Sequence, residues 1–170
     1  DDRTSRGLGD VYKRQALQIM IECVNDGIDV TGKHVQNTIC SLLHEELALL
    51  NQQKISYKNL VITRRVTKTV EQFTVSTLTH SALLRANALG HGILPGRKAR
   101  FIVVRCDSVN PADRVILVEE IKKQSNIKID TAYYQELAVR AIWAILAPYG
   151  WTDEEILAGS KVMTLFDFQE

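Results

Sequence analysis

The chain has 170 residues, 45% of them hydrophobic and 24% charged, with a formal net charge of +1. This is the composition of a folded soluble domain, or of one subdomain of something larger, and it excludes a disordered chain. A charge so near neutrality gives no global basic field, so any nucleic-acid contact must come from local clustering.

No apolar run approaches the roughly 18 residues that a membrane span needs. Cys23, Cys40 and Cys106 are far apart and without CxxC spacing. They read as reduced, mostly buried thiols of a cytoplasmic protein.

Residues 1–15 (DDRTSRGLGDVYKRQ) show no clear helical or strand period and no initiator Met. They are read as a non-native, adapter-derived segment, with a natural polar tail as the alternative, and set outside the fold. Ala16–Asn25 is apolar on nearly all sides and stops at Gly27, as the end of a buried helix would. A second helix is predicted over Thr31–Leu50. Val35, Ile39, Leu42, Leu43, Leu47 and Leu50 form its inner stripe, and Lys33, Gln36, Asn37, Ser41 and Glu45 its outer side.

Asn51–Lys58 is a polar connection and Asn59–Val66 an extended segment. Thr69–Phe73 fits one turn. Thr77 caps a helix running through Leu89 and ending at Gly90-His91-Gly92. Pro95-Gly96 marks a turn before a mostly buried strand over Arg100–Cys106, with Arg114–Val118 as its partner. Asp130 or Thr131 caps a helix with Tyr134, Leu137, Ala138, Ala141 and Ile145 on one face and a Glu136–Arg140 pair on the other. Thr152 and Glu155 form a capping box for a short helix over Asp153–Ala158.

The expected fold is α+β, mostly helical, with a small β element. It lacks the strand–helix alternation of a doubly wound nucleotide-binding sheet.

Gly27–His34 (GIDVTGKH) nearly matches a phosphate-binding loop. That loop needs a preceding buried strand and a Ser or Thr hydroxyl for magnesium. Here the preceding segment reads as helix and His34 occupies the hydroxyl position. The four histidines lack metal-ligand spacing, and there is no nucleophile elbow. Glu45-Glu46, Glu119-Glu120 and Glu154-Glu155 read as solvated helix faces or caps.

The segment KNLVITRRVTK is different. An apolar triplet (Leu60, Val61, Ile62) runs into Thr63, Arg64, Arg65, Thr67 and Lys68. Alternation puts Thr63, Arg65 and Thr67 on one face and Arg64, Val66 and Lys68 on the other. Such donors suit phosphate backbone, and they equally suit a solvated edge strand. In the tail, Leu165, Phe166 and Phe168 are apolar side chains at a polar C-terminus. They fit either docking on the domain or a short anchor for a partner's pocket.

Four segments in order resemble the thumb of archaeal-type family B DNA polymerases. KNLVITRRVTKTVEQF is similar to the thumb strand and following turn. THSALLRANALG is similar to a thumb helix, with His80 on the family's His, Thr79 in place of Pro and Ser81 in place of Val. ILPGRKARFIVV resembles the next turn and strand, and IDTAYYQELAVRAIWAILAPYGW the helix near the family's C-terminus.

The tail TLFDF resembles the core of a sliding-clamp (PCNA) interacting box, with Val162 in place of its leading Gln. The resemblance implies a thumb domain over residues 16–159 and a flexible clamp-interacting tail over 160–170. It implies contacts to primer–template duplex DNA through Thr63, Arg64, Arg65, Thr67, Lys68 and His80, and to the clamp through Thr164, Leu165, Phe166 and Phe168.

It also implies a parent DNA-directed DNA polymerase, cytoplasmic and nucleoid-associated. The dNTPs and two Mg2+ ions of that parent belong to its palm, whose DTDS and SLYPSI motifs are absent here. This chain would then carry no catalytic residue and bind no cofactor of its own. The alternative is a stand-alone, non-catalytic DNA- or clamp-binding accessory protein.

Overall fold

The computed structural model describes residues 7–124 and 126–159. It is mostly helical with one three-stranded antiparallel sheet, as expected. The chain divides into two compact units, one built on Gln53–Tyr134 and the other on Gly9–Gln52 with the chain from Gln135 onward. No helix among the described residues is long and apolar enough to cross a membrane.

In the second unit, helix α1 (Leu8–Asn25) starts well ahead of the expected Ala16. Leu8, Tyr12 and Ala16 recur every four residues and are buried. The expectation that set residues 1–15 outside the fold is thus corrected from Leu8 onward. The expectation of a buried helix over Ala16–Asn25 is corrected too, because Leu17, Ile21 and Val24 are 42%, 52% and 60% exposed.

Gly27, with φ of 73°, closes α1. Its left-handed conformation lets the Ile28 N–H return to the Cys23 carbonyl at 2.8 Å, which satisfies an orphan helix acceptor. A helix therefore precedes GIDVTGKH, where a phosphate loop would need a strand.

Helix α2 (Lys33–Asn51) buries Val35, Ile39, Leu43, Leu47 and Leu50 on the expected stripe. Gln36, expected on the outer side, is buried as well. Its carbonyl accepts the Trp151 indole N–H at 2.7 Å, and its amide donates to the Thr31 carbonyl at 2.8 Å. A buried amide so paired avoids the desolvation cost of an unmet polar group.

Across the unit, the short helix later in the chain (Asp153–Ala158) rests on α2. The His44 ring bonds the Ile156 carbonyl at 2.9 Å, and the Cys40 thiol reaches the same oxygen at 3.5 Å. Of the three thiols only Cys40 is buried; Cys23 and Cys106 are half-buried, which corrects the expectation of mostly buried thiols.

The first unit opens with the one-turn helix α3 (Tyr57–Leu60), which occupies part of the expected extended segment. Strand β1 is only Ile62–Arg65. A 3-10 turn over Val70–Gln72 leads to helix α4 (Leu78–Ala88), where the Thr77 hydroxyl accepts the His80 backbone N–H at 3.2 Å as a proper N-cap. Strand β2 (Lys98–Val103) starts and ends earlier than predicted, and β3 (Val115–Leu117) is its partner.

The strand order is β1-β2-β3. Phe101 sits opposite both Ile62 and Leu117, and these three side chains with Leu83 and Ala86 of α4 lie in the buried interior. Each of the larger side chains, Ile62, Leu83, Phe101 and Leu117, contributes about 1.5–3 kcal/mol on burial.

After β3 comes the one-turn helix α5 (Val118–Ile121), then α6 (Thr131–Leu146), where Tyr134, Ala138 and Ile145 of the expected face are buried, while Leu137 and Ala141 are half-buried and Ile142, outside the expected face, is buried. A 3-10 turn over Ala147–Tyr149 and helix α7 (Asp153–Ala158) complete the described chain. Thr152 and Glu155 form the predicted capping box of α7.

Glu120 of α5 overturns one expectation. It is not solvated but buried, and its carboxylate grips the Arg85 guanidinium at 2.7 Å. Burial alone would raise this carboxyl. Hydrogen bonds from Arg85 and the Leu117 N–H, with the guanidinium charge, outweigh burial and hold it below the usual carboxylate range.

Candidate nucleic-acid interface

β1 is an edge strand, and its side chains divide as alternation requires. Ile62 and Val66 are buried, with the half-buried Arg64 between them in the same row. Thr63, Arg65 and Thr67 form the other row, with Arg65 and Thr67 exposed. Arg64 and Arg65 therefore project to opposite sides of the strand.

The ladder continues one step past Arg65: the Val66 N–H bonds the Arg97 carbonyl at 2.8 Å and the Gly96 N–H bonds the Val66 carbonyl at 2.7 Å. Gly96 has a φ of +91°, so this turn suits glycine.

Beyond that point the chain leaves the sheet and carries Lys68 to a small cluster. The Lys68 Nζ stands 5.7 Å from the centre of the Phe73 ring. The other partner of Phe73 is His80, whose ring stacks on it with centroids 5.0 Å apart and 25° between planes.

His80 Nδ1 lies 3.2 Å from the Ser76 hydroxyl, which the Arg114 guanidinium also approaches at 3.4 Å. Three basic side chains distant in sequence thus meet around one aromatic ring and one hydroxyl. Sequence reasoning singled out Lys68 and His80 separately. It missed Phe73, Ser76 and Arg114, because only the fold brings 68, 80 and 114 together.

The cluster suits a phosphodiester backbone. Cation–π attraction holds the Lys68 ammonium in place over the ring, while hydroxyls and ring N–H groups fix position without reading bases. Thr164, Leu165, Phe166 and Phe168 lie outside the described residues.

Another group of potential ligand atoms is Cys106, Asp107 and Asp130, all within 4.8 Å of one another. Asp130 already has structural work there. One oxygen accepts the Cys106 N–H at 2.9 Å and the other caps α6 through the Tyr133 N–H at 3.0 Å. Burial, then the neighbouring carboxylate, pushes the Cys106 thiol up to about 11.

The comparisons with known proteins bear on this geometry. The family B DNA polymerase of the hyperthermophilic archaeon Pyrobaculum calidifontis superposes with a TM-score of 0.69 over 86% of this chain, at 16% sequence identity. The fold resembles part of a family B DNA polymerase. The chain spans 18% of that polymerase's length. No protein-family model matches the sequence, and no curated protein matches it. At 16% identity the likeness is one of fold.

Proposed function

We propose that this chain is the thumb region of a family B DNA-directed DNA polymerase and that it grips primer–template duplex DNA. The supporting observation is the meeting of Lys68, His80 and Arg114 around Phe73 and Ser76, just past the end of β1, within a fold similar to part of such a polymerase. Thr63, Arg64, Arg65, Thr67 and Lys68 supply phosphate-compatible donors along the same stretch. Their part is sequence-independent: cations neutralise phosphate and hydroxyls set register. Nucleotidyl transfer, with its dNTPs and two Mg2+ ions, belongs to the parent's palm and not to this chain.

The test is duplex binding by the 170-residue chain over a salt series. Each phosphate-contacting cation contributes about 0.9 to the log–log slope on duplex DNA. Lys68→Gln is expected to reduce the slope by about that amount. A chain that binds duplex with no salt dependence, or a Lys68→Gln variant with the parental slope, refutes the assignment.

The tail is proposed to bind a sliding clamp through Thr164, Leu165, Phe166 and Phe168. A peptide of residues 161–170 should bind an archaeal clamp and lose binding on Leu165→Ala or Phe168→Ala. Failure of the unaltered peptide to bind refutes that part alone.

A further inference from the structure

The β1–β2 register gathers cations that the sequence keeps far apart. Thr63 is paired with Arg100 and Arg65 with Lys98. Directly opposite residues of an antiparallel pair project from the same face, so Arg65 and Lys98 stand side by side and Arg100 follows along β2. Arg65 and Arg100 are exposed, and Lys98 is half-buried.

The row does not stop at the strand. An open groove of about 680 Å³ is lined by Lys98 and Arg100 together with His91 and Arg97, and Glu119 is the one carboxylate among its described lining residues. Residues two apart on a strand are spaced about 6.6–6.8 Å. That is the order of distance between successive phosphates of a nucleic-acid strand. A small monoanion would engage one of these cations, whereas a phosphodiester chain engages the series.

We infer that Lys98 and Arg100 are further backbone-contacting residues, and that the nucleic-acid strand met by β1 crosses the sheet to β2 and its His91–Arg97 groove. The inference rests on the reading that the chain binds duplex DNA. Neither residue belongs to the set that the sequence resemblance implicates.

The experiment uses the 170-residue chain, a duplex of arbitrary sequence and fluorescence anisotropy over a salt series. Lys98→Gln and Arg100→Gln are each expected to lower the log–log slope by about 0.9, and the double variant by about 1.8, equally on unrelated sequences. The charge-conserving pair Lys98→Arg with Arg100→Lys is expected to keep the parental slope, which separates lost contact from lost fold. A double Gln variant with the parental slope, measured beside a Lys68→Gln variant whose slope falls, overturns this inference and leaves the DNA reading standing. A parental chain without salt-dependent binding overturns both.

Discussion

Replacing Glu120 by Gln removes one charge from the bond that ties α5 and β3 to α4. The Glu120 carboxylate accepts Arg85 Nη2–H at 2.7 Å and Nε–H at 3.1 Å, and it also accepts the Leu117 N–H at 2.9 Å. Gln keeps the shape but offers one acceptor oxygen instead of two, and its NH2 must face a donor. Removing one partner of a fully buried ion pair costs about 3–5 kcal/mol.

The present pair is less enclosed, because the Arg85 side chain is 23% exposed. The guanidinium also retains the Ala112 carbonyl at 3.2 Å and Asp113 at 3.7 Å. About half the full penalty, roughly 2 kcal/mol, is therefore expected. For a chain of this size that corresponds to a fall in melting temperature of about 4–8 °C.

Calorimetry of the 170-residue chain measures it. A double-mutant cycle with Arg85→Met isolates the pair, with an expected coupling of about 1–2 kcal/mol. A Gln variant destabilised by less than about 0.5 kcal/mol, with zero coupling, would show that the bond is geometrically present but energetically idle.

Acid should weaken the first unit. Glu120 and Asp130 both titrate below the ordinary carboxylate values of 4.5 and 3.8 in the folded chain. A depressed folded value stabilises the fold above the unfolded value and loses that contribution as pH falls through the folded one. Stability against urea should therefore be flat above about pH 5 and decline steadily below pH 4, and a decline that begins near neutrality would refute this. Tyr134→Phe deletes a buried hydroxyl that accepts the Val103 N–H at 3.0 Å and donates to the Leu60 carbonyl at 2.8 Å. It should cost about 1–3 kcal/mol in denaturant unfolding, and a neutral effect would contradict the pairing described.

What the sequence made legible was local. Thr77, Thr152 and Glu155 announce their helices because a cap needs only residues three positions apart. The inner stripe of α2, and Tyr134, Ala138 and Ile145 of α6, follow from one helix's own period. The expected extended segment over Asn59–Val66 is shortened at its start because α3 takes up Asn59 and Leu60.

Glu120 was misplaced on a solvated face because Arg85, the partner that makes its burial tolerable, lies 35 residues away. The same holds for Gln36 and Trp151. Lys98 and Arg100 do not stand out in the sequence because a cation's neighbours across a sheet are set by register, which is a tertiary fact. Leu8, Tyr12 and Ala16 did carry a readable four-residue spacing. The polar residues around them obscure it.

The two hydrogen bonds that bracket Val66 against Gly96 and Arg97 have a thermodynamic consequence. They extend the ladder past Arg65 and fix the start of β2 beside the end of β1. The cations of both strands then stand on one preordered frame, on which the proposed duplex binding would be tested. Association on that frame has little backbone ordering to offset. Its heat-capacity change should accordingly be small, as for a rigid surface rather than a segment that folds on contact.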